Sequence, residues 1–346
     1  SISVSYSNLD GGLESVVFFA GDTIYWGDGN IDVDPMFVDT ANANYQLLAS
    51  SQLINAGHPD STDSDGTVTD MGAYPYLNSY SGPTWYISES GNDTTATGAS
   101  DDPFRSIQAG INFSSDTDSV TVAAGTYVEN INYNGKNISI IGADRETTII
   151  DGGSSSSVVT FSSGEDESAL LSGFTIQNGN AQSHGGGINC ASGSPMITNV
   201  SIINNSSNEG GGLGCHTWAN PTLINVLISG NTSNMAGGGM FFSDNAGASL
   251  INVTVIDNNS GNEQGDGAYC QNSDLFVMNT FWDNSSIYFS PNGESSSIEV
   301  YYSNLEGGLD SIVTNNNGTV TWGDGNIDVD PMFVDTANAN YQLLAS

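Results

Sequence analysis

Basic residues are almost absent from this sequence. Arg105, Lys136 and Arg145 are its whole Lys and Arg complement, against 39 Asp and Glu in 346 residues, for a formal net charge of -36. Phosphate-rich and anionic surfaces are held through Lys and Arg, so nucleic acid and anionic membrane are excluded as partners. Charge is also sparse, at 12% of residues, about half of what soluble domains carry. Such a surface favours solubility, self-repulsion and divalent cations. Cysteine is scarce: Cys190, Cys215 and Cys270 cannot close a disulfide framework and read as small buried hydrophobes. No apolar stretch of about 18 residues occurs, so no helical membrane insertion is expected. Apolar runs are short and broken by Gly, Asn or Ser, which excludes helices of ordinary length. The chain has no initiator Met and no signal peptide, and reads as a piece of something longer or processed.

What is abundant is repetition. A glycine triplet or its variant recurs at Gly185, Gly210, Gly237 and Gly265, giving a period of 25 to 28 residues, the range of a solenoid or array. Three residues after each start stand Ile188, Leu213, Met240 and Ala268; two further on stand Cys190, Cys215, Phe242 and Cys270. Residues two apart on a strand share a face, so both columns point inward. A second strand supplies Ile197, Leu223, Leu250 and Val277, and then the columns headed by Val200 and Ile202. Asparagines fill the positions between, at 199, 225, 252 and 279 and again at 205, 231 and 258. Asn tolerates left-handed turns and can bond to its own copy one rung away, so both sets are assigned to bends. On that assignment Asn231→Ala is a mild change, worth about one or two hydrogen bonds. The fold class is all-β: a right-handed parallel β-helix with about 4.8 Å between rungs and a short N-terminal capping helix.

A second, longer repeat overlies the first. Residues 297–346 duplicate residues 1–50 at a constant offset of 296, with 38 of 50 positions identical and the run from Trp26 to Ser50 unchanged at Trp322 to Ser346. Residues 1–50 are therefore assigned as closing coils of a preceding copy. Residues 51–83 form an Asp-rich closure and linker, 84–118 an opening strand, loop and capping helix beginning near Pro103, and 119–346 the β-helix. One unit of a tandem array is implied.

The glycine triplets followed by IxxN alternation resemble the right-handed parallel β-helix repeat proteins of microbial cell surfaces, within the pectate-lyase-like superfamily, and in particular polymorphic outer-membrane-protein repeats. The likeness covers most of the chain, and its closing segment, GNIDVDPMFVD, looks like theirs. It implies the fold and an extracellular or cell-surface setting. It leaves activity open, since the superfamily hosts lyases, adhesins and passive stalks.

Candidate chemistry is thin. A lyase of this fold needs a Lys or Arg base beside Ca²⁺ held on carboxylates; Lys136, Arg105 and Arg145 all fall in the first coils, away from any acidic cluster, so no enzymatic activity is expected. His184 and His216 flank glycine turns one coil apart but lack a clear third ligand. Calcium is the cofactor the sequence points to. Asp60, Asp63, Asp65 and Asp70 form an Asp-rich loop with Gly66 at the turn, although Gly72 replaces the bidentate Glu of an EF-hand. Asp28, Asn30, Asp32 and Asp34 alternate along a second stretch. The function these features indicate is a structural repeat unit of an extracellular filament, sheath or surface layer, with copies of itself as partners. An adhesin stalk or glycan-binding module, with cell-surface glycans as partners, is the alternative.

Overall fold

The structure is a computed structural model that describes residues 1–17, 21–283, 286–335 and 340–343. Its frame is set by strands of two to six residues that pair in parallel with the strand one coil away. The chain winds into a parallel β-solenoid of about twelve turns. Three long sheets wrap the core. One has ten strands, from Thr84–Ile87 to Gly318–Trp322, and two have eight, from Gly125–Val128 to Asn304–Leu305 and from Ile131–Asn132 to Ile312–Val313. A fourth, of four strands from Asn180–His184 to Asn259–Ser260, covers only the glycine-triplet coils. The rungs begin at Thr84–Ile87, which pairs with Ser119–Val122.

The registers place the sequence columns directly over one another. Ile188 pairs with Leu213 and then Met240 and Ala268, while Cys190 pairs with Cys215 and then Phe242 and Cys270. All eight are fully buried, and the three cysteines are free thiols. Ile202, Ile228, Val255 and Trp282 stack likewise. The first glycine of each triplet has φ between +63° and +69°, and a Cβ on Gly237 would lie 2.1 Å from the Met240 carbonyl oxygen, so no other residue fits that corner.

The two asparagine sets separate. Asn199, Asn225, Asn252 and Asn279 are in the left-handed region at the bends, as assigned. Asn205, Asn231 and Asn258 are not: they point inward and are at most 3% exposed. Asn205 Nδ2 donates to Asn231 Oδ1 (3.1 Å), and Asn231 Nδ2 donates to Asn258 Oδ1 (3.0 Å). The same Oδ1 atoms accept the backbone N–H of Asn205 and Asn231. This set is an internal ladder, which corrects the bend assignment, because an amide with both donors and its acceptor satisfied can be buried at little cost.

The capping helix is Ile107–Phe113, seven residues, all buried. It starts after the expected Pro103, since the Phe104 N–H is taken by the Tyr86 carbonyl in an extended rung. The described parts of the duplicated fifty residues share the same pairings in both places. Phe37–Asp39 pairs antiparallel with Asn44–Leu47, Phe37 opposite Leu47, and Phe333–Asp335 pairs with Asn340–Leu343, Phe333 opposite Leu343. Asn8 bridges Ile31 as Asn304 bridges Ile327. In the second copy Ile298, Val300 and Leu305 are buried under the preceding coil, whereas Ile2 is 53% exposed.

Candidate functional site

One of the chain's three Lys and Arg residues is spent on structure. Lys136 reaches across from the first coil to the C-terminal end of the helix, where its Nζ donates to the carbonyls of Ile111 (2.7 Å), Asn112 (2.8 Å) and Ser114 (2.8 Å). These are orphan acceptors at the negative end of the helix dipole, which an ammonium satisfies. Burial pushes its pKa down to about 8, opposed by Asp116 and Asp118. At the other end Glu129 accepts the N–H groups of Ile107 (2.8 Å) and Gln108 (3.1 Å). Helix and first coil are thereby clamped by opposite charges at opposite ends. The Arg105 backbone N–H donates to Asp93 Oδ1 (2.7 Å), and Arg145 Nη1 to the Asn225 carbonyl (3.3 Å).

Two carboxylates carry a pH signature. Burial raises Glu129 from 4.5 to about 7, against the pull of its two N–H donors. Burial, with repulsion from Asp63 and Asp65, raises Asp70 from 3.8 to about 6. A carboxyl whose folded pKa lies above its unfolded one binds more protons when folded, so its stabilisation is complete below the unfolded value and is lost as pH rises through the folded value. Stability is expected to fall by on the order of 2–3 kcal/mol between about pH 4.5 and 7. Denaturant titrations across that window check this, and Glu129→Gln should flatten the slope. A profile rising with pH through the window would contradict it.

The Asp-rich loop is closed by its own hydrogen bonds. Asp63 Oδ2 accepts Asp70 N–H (2.9 Å), Asp65 accepts Thr67 (3.1 Å) and Asn78 (2.9 Å), and Asp70 accepts Asn55 (2.7 Å) and Tyr76 (2.7 Å). Asp60 is exposed, and its N–H donates to His58 Nδ1. In the alternating stretch Asn30 clamps Ser7 and Val4 of the neighbouring rung, Asp32 accepts Gly11 N–H, Asp34 accepts Met36 N–H, and Asp28 is exposed. Among the described residues no three His, Cys, Asp or Glu side chains group so as to hold a metal. These carboxylates are engaged as acceptors for turn N–H groups.

His184 and His216 do meet, with ring centroids 4.6 Å apart. The partner missed in the sequence is Glu209, whose carboxylate lies 2.9 Å from His184 Nε2. It sits one coil along, opposite His184 across a bulged parallel pair, a contact that the bulge hides from simple register counting. Burial and the neighbouring His184 lower the His216 pKa. Phe241, Tyr269 and Tyr288 continue the stack over the next three coils.

Two surface hollows stand out. A cleft of about 1140 Å³ lies between residues 5–37 and 53–72, lined by Tyr6, Asp10, Asp32, His58 and Asp70. A shallow groove of about 750 Å³ runs along the coils between Arg145 and Tyr341, over Thr175, Ser201, Asn225 and Leu227. Its floor is amide and hydroxyl, with the bend asparagines bonded rung to rung (Asn225 Nδ2 to Asn199 Oδ1, 3.4 Å). One wall is the second antiparallel hairpin, held by Phe333 against Phe281 (centroids 4.7 Å) and by Tyr341 Oη donating to Asp257 (3.0 Å). Arg145, Glu146 and Tyr341 edge the groove, and Ile203, Val226 and Leu227 add apolar surface among the amides and hydroxyls.

Comparison with known proteins places the architecture. No family model matches the chain, and no curated protein matches it. Among solved structures, a pectin methylesterase mutant in complex with a hexasaccharide shares the fold at 13% identity and a TM-score of 0.36, over 75% of this chain and 95% of that one. A rhamnogalacturonan lyase does so at 12% identity and a TM-score of 0.33, over 76% and 95%. The chain's own registers define its architecture as a parallel β-helix. Both similar structures are named as enzymes, which corrects the expectation that this chain has no enzymatic activity. The likeness is one of fold, and no catalytic residue is carried over from it.

Proposed function

We propose that this chain is a repeat unit of an extracellular β-helix array, in which 296-residue copies follow one another along an axis and present the groove over Asn225 to a glycan. The observation that carries the reading is the duplication. Residues 1–50 and 297–346 share 38 of 50 positions, and the described parts adopt the same hairpin and bridge registers. One copy closes this β-helix; the other leans on its opening helix. A closing element that packs on an opening element is a heterologous contact that extends without limit. The surface charge of -36 keeps such arrays apart laterally unless cations or glycans bridge them.

Images of the native material test this. About twelve rungs at about 4.8 Å each give an axial repeat on the order of 60 Å along filaments or layers. Dispersed single particles, with a native gene encoding one copy, would sink the reading. The glycan part is checked separately with Arg145→Ala, expected to weaken retention on a neutral polysaccharide at least tenfold while leaving thermal stability within about 1 kcal/mol.

A further inference from the structure

The two copies of the closing segment differ in what covers them. In the first copy Tyr6, Ile31 and Val33 are half-buried and packed against the core. Residues 53–72 face them across the cleft, with His58 on the Tyr6 ring at 4.7 Å. Their counterparts in the second copy, Tyr302, Ile327 and Val329, are 60%, 51% and 56% exposed, and Met332 is 57% exposed. From Trp26 and Trp322 onward the two sequences are identical, and φ is 46° at Tyr6 and 50° at Tyr302. The difference is therefore one of covering and not of folding.

We infer that the face formed by Tyr302, Ile327, Val329 and Met332 is the docking surface for a further copy of the closure-and-opening segment Ser51–Asp118. The occupant is read off this chain itself. Residues 1–50 run into that segment, and the join has a definite chemistry. Ala49 N–H donates to the Asp93 carbonyl (2.7 Å). Asn112, at the end of the capping helix, donates from Nδ2 to the carbonyls of Ala49 (3.0 Å) and Ser51 (2.7 Å). Ser51 Oγ returns to the Pro35 carbonyl (2.7 Å). Leu47, Ala49, Leu53 and Met71 are buried in the seam. All the closing-side sequence of this seam, from Trp26 to Ser50, recurs unchanged from Trp322 to Ser346. An exposed apolar row flanked by a complete acceptor sequence marks an interaction surface. The inference rests on the array reading and specifies its joint.

The test appends the sequence of Ser51–Asp118 directly after Ser346 of the full chain and follows amide exchange by mass spectrometry. Peptides beginning upstream of Trp26 and of Trp322 differ in sequence, so the two copies are resolved in one sample. Exchange over Trp322–Val334 is expected to slow at least tenfold, to the level of Trp26–Val38, because opening the covered face now requires undocking. Val329→Asp with Met332→Asp in the extended chain should abolish that slowing while the coils from Ser119 to Tyr301 keep their protection. Unchanged exchange at Trp322–Val334 with the appended segment itself unprotected overturns the inference. Protection here, together with native material of single copies, would keep this joint and defeat only the array reading.

Discussion

Asn231→Ala is expected to lower the stability of the coil stack by on the order of 3–5 kcal/mol, as much as a carboxylate placed in an apolar column. The side chain is fully buried. Its Oδ1 accepts from the Asn205 amide and backbone N–H (3.1 and 3.0 Å), and its Nδ2 donates to the Ile202 carbonyl (2.9 Å) and Asn258 Oδ1 (3.0 Å). Truncation takes a bond from four polar atoms where water has no entry: Asn258 Oδ1 keeps the Asn231 N–H and Asn205 Nδ2 keeps the Ile176 carbonyl, while the Asn205 N–H and the Ile202 carbonyl lose the Asn231 amide, and each unsatisfied buried group costs about 1–3 kcal/mol. Asn225→Ala is the control: that residue is exposed at a bend with φ of 58°, and its loss should cost about 1 kcal/mol, mainly for holding Ala in the left-handed region. Denaturant midpoints of the pair decide the matter. Equal, small shifts would mean that the inner ladder contributes little.

Lys136→Met is expected to cost about 3 kcal/mol and to loosen the end of the stack before the middle. Three carbonyls at the helix C-terminus lose the ammonium, Ile111 alone keeping a second donor in Ser114 Oγ, and Met fills the volume without replacing any of the bonds. Lys136→Arg should recover only part, since a planar fork cannot point at three carbonyls arranged around one nitrogen. Exchange at Ile107–Ser114 should quicken at least tenfold while the glycine-triplet coils stay protected. A loss spread evenly over all coils would show that the clamp is not local.

The inward columns were legible because their period is set by the coil itself: one strand position recurs every 25 to 28 residues, and burial demands an apolar residue there. The inner and outer asparagines were not told apart. Asn199 and Asn205 share composition and period, and only side-chain direction separates a bend that needs a left-handed residue from a buried amide that needs a partner on the next rung. Lys136 was weighed as a catalytic base because its true partners lie 22 to 25 residues away, outside any local motif. In the Asp-rich loop, alternating aspartates serve equally as cation ligands and as acceptors for turn N–H groups, and the second role is the one the hydrogen bonds display. The duplication was plain in the sequence, while the seam it makes with Asp93 and Asn112 was not, since nothing in either stretch alone names the other.

The inner ladder also bears on mechanics. Hydrogen bonds between rungs lie along the solenoid axis, so a pull on the two ends stretches every bond of a rung at once instead of peeling them singly. Over the rungs of Asn205, Asn231 and Asn258 the side-chain amides add bonds in parallel with three sheets and the fourth short one. That stretch is the stiff middle of a spring. Under tension the rungs that carry Asn205, Asn231 and Asn258 should be among the last to yield, so the glycine-triplet coils hold while extension starts elsewhere in the stack.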